Sequence, residues 1–277
     1  MSDWPVGLST GCFYQKSIFD CLELILHSGF SLIEVCSSRA HLDYHDVASV
    51  RRVTERFDAL GIGAYSFHAP FADHIDITSL DESRRLASVR EVMTAAEAAA
   101  LLAVRYFVVH PGPEHAHQPV GEERQQRLDR VVRSLDQIAE FCLRAGMTCV
   151  VENKLPHLIF GNTADMLWIL GAMTVTDVGV CLDTGHAYLG GELDTAVHKL
   201  SQHLRMVHAS DNNGHSDDHF PPGKGAIEWS RVLGLLRDSG FHGSIMMEIA
   251  GHGEPAQILA AASQARQFLR KTAWHLA

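Results

Sequence analysis

Residues 147–186 read MTCVVENKLPHLIFGNTADMLWILGAMTVTDVGVCLDTGH and contain one complete strand–helix–strand unit. The apolar runs MTCVVEN (147–153) and VGVCLD (178–183) are typical of strands that are buried on both faces. Between them, TADMLWILG (163–171) has helical periodicity. Because a crossover helix returns the chain to the same edge of a sheet, the two strands are expected to be parallel.

The same unit continues in both directions along the chain. Other apolar runs that suit buried strands are VGLST (6–10), LIEVC (32–36), IGAYSFH (62–68), VRYFVVH (104–110), LRMVHA (204–209) and SIMMEI (244–249). Helical periodicity recurs over 17–29, 80–102, 122–146 and 230–240. Eight strands in alternation with about eight helices predict an α/β fold, a (β/α)8 TIM barrel that forms a single domain over residues 1–277. A doubly wound open sheet is the alternative, but the sequence has no Gly-rich phosphate turn.

Composition agrees with a globular protein. The 277 residues carry a formal net charge of −10, with 46% hydrophobic and 20% charged residues. No apolar run is long enough to predict a membrane span, and MSDWPVGLST (1–10) lacks a secretory pattern. The six cysteines form no CxxC pair, so we expect reduced thiols and a cytoplasmic location. A homo-oligomer is compatible with all of these features.

Histidines and carboxylates recur where the predicted strands end. Six strands finish with such a side chain: His68, His110, Glu152, Asp183, His208 and Glu248. His186, Asp217 and His219 follow on loops. The C-terminal ends of barrel strands meet at the face where barrel enzymes have their active sites. Because carboxylates buried together repel one another, a divalent cation is expected among them, and the residue types favour Zn²⁺, Mn²⁺ or a similar ion such as Mg²⁺ over Ca²⁺.

These motifs resemble those of the xylose isomerase-like TIM-barrel family. The matching segments are FHAPF (67–71), HPG (110–112), EN (152–153), LDTGH (182–186), H-x-x-D (208–211), D-x-H (217–219), PPGKG (221–225) and MEI (247–249). They lie within a region from residue 6 to about residue 250, which is nearly the whole chain. The family holds sugar isomerases and epimerases and also endonuclease IV, so the resemblance implies a metal-dependent barrel enzyme and leaves the reaction open.

In the isomerase and epimerase branch, the resemblance implies one metal ion held by Glu152, Asp183, His208 and Glu248. One glutamate removes a proton beside a carbonyl and the other returns it, while the metal polarises that carbonyl. His186 would contact a substrate oxygen. Three carboxylates against one divalent ion leave a net charge of −1, which suits a neutral sugar.

In the endonuclease IV branch, the resemblance implies three zinc ions held by nine side chains. This sequence matches all nine: His68, His110, Glu152, Asp183, His186, His208, Asp217, His219 and Glu248. Four carboxylates against three divalent ions leave a net charge of +2, which suits a phosphodiester. A third interpretation, a barrel that binds a metabolite without converting it, would need a broken catalytic set, and none is broken.

Other features favour the sugar branch. IEV (33–35) and PPGKGAIEW (221–229) resemble sugar enzymes, whereas a DNA-binding protein normally has clustered Lys and Arg. The loop after the second strand offers only Arg39, followed by the acidic HLDYHD (41–46). Other arginines are expected on solvated helix faces: Arg51, Arg52, Arg84 and Arg85. One departure is Gly214, which stands where ketose 3-epimerases of the family carry an arginine and argues against ketohexose 3-epimerase activity.

The sequence therefore predicts a metal-dependent sugar or sugar-phosphate isomerase or epimerase with one to three divalent ions. Its expected partner is a small sugar or sugar phosphate, with nucleic acid as the less favoured alternative. Glu152, Glu248 and His186 are the predicted catalytic residues. Lys154, Phe71 and Trp229 are the predicted substrate contacts.

Overall fold

The structure, a computed structural model, describes residues 4–276 and contains one closed barrel of eight parallel strands in sequence order. The strands are β1 (Val6–Ser9), β2 (Leu32–Cys36), β3 (Gly63–His68), β4 (Tyr106–Val109), β5 (Thr148–Glu152), β6 (Val178–Asp183), β7 (Leu204–Ala209) and β8 (Ser244–Met247). Leu8 pairs with Ile33 of β2 on one side and with Met247 of β8 on the other, which closes the barrel. The predicted TIM-barrel fold is confirmed.

Helices connect the strands and cover the outside of the barrel. In residues 4–276 they are α1 (Ile18–His27), α2 (Val47–Leu60), α3 (Glu82–Leu101), α4 (Gly121–Arg144), α5 (Thr163–Ala172), α6 (Thr184–Leu189), α7 (Leu193–Leu200), α8 (Trp229–Asp238) and α9 (Pro255–His275). A 3₁₀ turn (Thr10–Phe13) follows β1. No helix in this part of the chain is both long enough and apolar enough to cross a membrane.

Local sequence explains where several helices begin and end. The side chains of Asp46 and Asp81 accept backbone N–H groups at the starts of α2 and α3, which satisfies donors that have no partner inside the helix. Gly61 ends α2 in the left-handed region at φ 65°, a conformation that glycine adopts without a steric penalty. These signals fix the lengths of the helices that pack around the barrel.

The barrel interior has an apolar part and a polar part. Side chains that fill the interior form one buried cluster: Tyr106, Val108, Val150, Cys181, Met206 and Met246. The polar part lies at the C-terminal ends of the strands, where Glu152, Asp183 and His208 are at most 1% exposed. The strands thus place a buried group of ionisable side chains on top of an apolar plug.

The cysteines match the sequence expectation, whereas one of the arginines does not. All six cysteines are unpaired, as expected. Arg85 is not on a solvated helix face: it is 3% exposed and pairs with Glu82 and Ser134. That expectation was wrong because α3 and α4 pack against each other there, and the partner Ser134 lies on α4.

Candidate metal centre

The nine predicted ligands lie together at the C-terminal face of the barrel. His68, Glu152 and Asp183 are the last residues of β3, β5 and β6, and His208 is the next-to-last residue of β7. His110 and Glu248 directly follow β4 and β8. His186 lies in α6, and Asp217 and His219 lie in the loop between β7 and α8.

The first cluster consists of Glu152, Asp183, His208 and Glu248. Each residue offers one ligand atom, and the four atoms lie within 4.8 Å of one another. Nδ1 of His208 is 3.1 Å from Oε1 of Glu152 and 3.2 Å from Oε2 of Glu248. Three carboxylates and one imidazole at this spacing are a donor set suited to a divalent ion.

The second cluster shares Glu152 and His208 with the first. His68, Glu152 and His208 place ligand atoms within 4.8 Å of one another. Nε2 of His68 lies 3.1 Å and Nε2 of His110 lies 3.4 Å from the same Glu152 oxygen, Oε2. Glu152 therefore has imidazoles against both of its oxygens, because Oε1 faces His208.

The third cluster is nearer the surface and consists of His186, Asp217 and His219. Oδ2 of Asp217 lies 3.5 Å from Nε2 of His186 and 3.1 Å from Nε2 of His219. Its other oxygen, Oδ1, is shielded from solvent and has no hydrogen-bond partner among residues 4–276. A buried carboxylate oxygen without a partner is unfavourable, so a bound cation would fit this atom.

Each of the five histidines uses its second ring nitrogen outside the clusters. Nδ1 of His68, His186 and His219 contacts the carbonyl oxygens of Ala69, Asn153 and Glu248, at 2.8, 2.9 and 3.2 Å. Nδ1 of His110 and Nε2 of His208 contact the carboxylates of Glu114 and Glu34, at 2.7 and 3.0 Å. A proton on the outer nitrogen leaves the inner nitrogen as a ligand, which is the usual arrangement of metal-binding histidines.

The LDTGH motif is explained by the way that it positions Asp183. The Asp183 carboxylate accepts the backbone N–H of His186 at 2.6 Å and so begins α6. Asn153 holds the backbone of Asp183 through two hydrogen bonds of 2.8 and 3.0 Å. A Cβ atom at position 185 would lie 2.3 Å from Oγ of Ser210, which is too close, so the position requires glycine.

The pKa values of the carboxylates in the first cluster are shifted in different directions. Burial raises the pKa of Asp183. Burial also acts to raise the pKa of Glu152, but the neighbouring imidazoles of His208, His110 and His68 outweigh it and hold that pKa well below its usual range. For Glu248, the charge and hydrogen bond of His208 likewise outweigh burial and lower the pKa to about 2. Glu152 and Glu248 are thus ionised at neutral pH.

The neighbouring carboxylates raise the pKa values of histidines in the clusters. Burial acts against the charged form of His68, but its hydrogen bond to Glu152 raises the pKa to about 9. Burial likewise opposes protonation of His219, and Asp217 and Glu248 raise its pKa to about 10. Protons on the imidazoles thus neutralise the carboxylates, and a divalent ion bound at the same atoms would displace them.

A cavity of about 590 Å³ opens beside the first and third clusters. Glu248, His68, Asp217 and His219 contribute to its wall. Phe71, one of the three predicted substrate contacts, also lines it, and its ring centroid lies 5.0 Å from that of His68. Other parts of the wall are formed by Ser9, Tyr14, Ser37 and Ser38.

The other two predicted substrate contacts lie away from this cavity. The ammonium group of Lys154 donates to the carbonyls of Gly112 and Pro113 and lies 3.1 Å from the carboxylate of Glu114, and the side chain is 1% exposed. The indole N–H of Trp229 donates to Asp211 at 2.9 Å, and this residue is 2% exposed. Both side chains are therefore committed to internal contacts, and neither is proposed as a substrate contact.

Glu34 and Glu114 complete the surroundings of the clusters and were not among the predicted site residues. Glu34 lies within β2 and Glu114 lies four residues after His110. The signal for Glu34 in the sequence is a carboxylate in the otherwise apolar run LIEVC (32–36). Each carboxylate supports a histidine from outside the cluster, so both belong to the site.

The fold and the site define a class: TIM-barrel proteins with a carboxylate and imidazole centre at the C-terminal ends of the strands. The chain belongs to the xylose isomerase-like TIM barrel family, whose family model matches residues 22–272.

Similar proteins include an uncharacterized protein, a probable endonuclease and a structure named as epimerase-like. The uncharacterized protein MJ1311 of Methanocaldococcus jannaschii is 30% identical over 255 residues, which cover 89% of this chain and 84% of that protein. The probable endonuclease 4 of Haloquadratum walsbyi is 25% identical over 217 residues, or 72% of this chain and 73% of that protein. The crystal structure of a D-tagatose 3-epimerase-like protein has a TM-score of 0.83 at 24% identity and covers 98% of both chains.

Proposed function

We propose that this protein is a metal-dependent isomerase or epimerase of a sugar or sugar phosphate. The observation that carries the proposal is the convergence of Glu152 and Glu248 on one atom, Nδ1 of His208, beside Asp183. Two ionised carboxylates beside a metal position are the groups that a proton transfer next to a carbonyl requires. The similarity to a D-tagatose 3-epimerase-like structure supports this reaction class.

The proposed roles follow from exposure and position. The side chain of Glu248 is 20% exposed and lines the cavity, so it is the carboxylate placed to take a proton from a bound substrate. Glu152 is 1% exposed and would be the second carboxylate that exchanges a proton with the substrate, from within the first cluster. A bound divalent ion would polarise the substrate carbonyl and stabilise negative charge on its oxygen. His186, whose Nε2 lies 3.5 Å from Oδ2 of Asp217 within the third cluster, would hold a substrate oxygen.

The wall of the cavity favours an uncharged substrate within this class. Beside the carboxylates and histidines already named, the wall contains the ring-bearing Phe71 and four residues that carry hydroxyl groups: Ser9, Tyr14, Ser37 and Ser38. Among the described residues that line it, there is no lysine and no arginine to pair with a phosphate. A free sugar or polyol therefore fits this cavity better than a sugar phosphate.

The experiment that tests the proposal is solvent proton exchange. The zinc- or manganese-loaded protein is incubated in D₂O with a panel of free ketoses and aldoses, and deuterium next to the carbonyl is followed by NMR. Exchange is expected with at least one sugar and should be abolished by Glu248→Gln and by Glu152→Gln. Glu97→Gln, on the exposed face of α3, is the matched control that should keep full exchange.

A zinc phosphodiesterase that acts on abasic DNA is the second candidate function. The specific observation in its favour is the third cluster, because His186, Asp217 and His219 add ligands that a one-metal isomerase does not need. The similarity to a probable endonuclease 4 supports it as well. Metal-dependent cleavage of an abasic-site duplex that weakens with salt, together with three ions per chain, would replace the isomerase proposal.

A further inference from the structure

Glu34 is an unusual residue for the interior of a barrel. It lies in the middle of β2, between Ile33 and Val35, and all three side chains are fully buried. A carboxylate at such a position loses its hydration and needs compensation from nearby donors. The surroundings of Glu34 therefore indicate what the carboxylate does.

The two oxygens of Glu34 have unequal surroundings. Oε2 accepts the hydroxyl of Ser66 at 2.8 Å and lies 3.0 Å from Nε2 of His208. Oε1 is buried and has no hydrogen-bond partner among residues 4–276. An apolar side chain of similar volume would avoid this unfavourable burial, so stability alone does not explain a glutamate here.

The contact with His208 provides the explanation. His208 is 0% exposed, and its other nitrogen, Nδ1, faces Glu152 and Glu248 in the first cluster. If Nε2 carries a proton, that N–H donates to Glu34, and the lone pair of Nδ1 is directed at the cluster. The opposite tautomer would place a lone pair against the Glu34 oxygen and a proton where a metal ion would bind.

We propose that Glu34 is a positioning residue that fixes His208 with its proton on Nε2 and so prepares Nδ1 as a metal ligand. The inference rests on the proposed metal binding at the first cluster and extends it to a carboxylate outside the ligand set. His68, His186 and His219 depend on backbone carbonyls for the same purpose. A charged acceptor also makes the imidazole a stronger ligand than a neutral carbonyl does.

The test measures zinc affinity, by competition with a chromogenic chelator, in the wild type and in Glu34→Ala and Glu34→Gln. Loss of an outer carboxylate typically weakens metal binding about 10–100-fold, and Glu34→Ala is expected in this range. Glu34→Gln keeps an oxygen acceptor without its charge and should show a smaller loss. Asp165→Asn is the matched control: Asp165 is also a buried carboxylate, but it accepts from Asn162 beside α5, and its loss should leave zinc affinity unchanged.

A second readout reports the tautomer directly. Long-range ¹H–¹⁵N NMR of the zinc-loaded wild type should show His208 protonated on Nε2, and Glu34→Ala should weaken or lose that signal. Wild-type zinc affinity in both folded variants, or a proton on Nδ1 of His208, would overturn the positioning role. A wild type that binds no zinc would overturn the metal centre itself. Because neither readout uses a sugar, failure of the isomerase proposal leaves both readouts valid.

Discussion

Glu152 and Glu248 approach the same nitrogen of His208, at 3.1 and 3.2 Å, but they differ in every other contact. Glu152 also faces His68 and His110 and is almost fully buried. Glu248 faces the cavity with 20% of its side chain exposed. The sequence predicts the same roles for both glutamates, as metal ligands and catalytic residues. In the structure, Glu152 belongs to two clusters and Glu248 to one.

This difference predicts unequal effects on metal binding. Glu152→Gln should weaken metal binding by more than the roughly 10–100-fold that is typical for loss of an outer partner, because it removes a charged ligand from two clusters. Glu248→Gln should have the smaller effect on affinity while it abolishes exchange. Metal content by elemental analysis after gel filtration checks both variants, and equal losses would contradict the shared role of Glu152.

His219 distinguishes the two candidate functions. In a one-metal isomerase, His219→Ala should leave the metal content unchanged and raise KM about tenfold, the effect of one lost hydrogen bond to a charged group. The measurement is metal content together with steady-state kinetics on the sugar that shows exchange. Loss of one ion per chain would instead assign a metal ion to the cluster of His186, Asp217 and His219 and favour the phosphodiesterase.

The fold and the nine clustered residues could be predicted because they depend on local patterns. Buried parallel strands appear as apolar runs, and a functional side chain at a strand end must reach the C-terminal face of a barrel. Glu34 could not be placed in this way, since it lies within a strand and its partner His208 is 174 residues away. The burial of Lys154 and Trp229 away from the cavity could not be predicted either, because the sequence does not reveal which polar groups satisfy one another inside the fold.

The buried position of Lys154 predicts a structural role. Lys154→Met leaves Glu114 and the carbonyls of Gly112 and Pro113 without their cation, which should lower the free energy of unfolding by about 3 kcal/mol. Urea unfolding of the variant measures this loss. Lys224→Met, on the exposed loop before α8, should stay within about 0.5 kcal/mol of the wild type. Unchanged stability with weaker sugar binding would make Lys154 a substrate contact after all.

Asp211 is expected to hold the loop that carries Asp217 and His219. Its two oxygens accept four hydrogen bonds, from the backbone N–H groups of Asn212, Gly223 and Ile227 and from the indole of Trp229. In Asp211→Asn, an NH2 group that cannot accept hydrogen bonds faces two of these donors. The free energy of unfolding should therefore fall by about 2–4 kcal/mol. Denaturant unfolding and amide hydrogen exchange over residues 212–228 measure the effect.

Trp229→Phe is the graded control for this loop, because it removes only one of the four donors. Its expected cost is about 1 kcal/mol. Equal stability of Asp211→Asn and the wild type would show that the loop is held by other contacts.

Zinc and protons should compete for the same imidazoles. The pKa of His68 is raised to about 9 and that of His219 to about 10, because neighbouring carboxylates outweigh the effect of burial. In chelator-treated protein the folded state therefore holds more protons than the unfolded state above the ordinary histidine pKa of about 6.5, so its stability should fall as pH rises from 7 through 9 to 10. Zinc-loaded protein should show little of this decline, since the metal replaces the protons. Melting temperatures across this range test the sign, and a metal-free chain that becomes more stable with rising pH would contradict it.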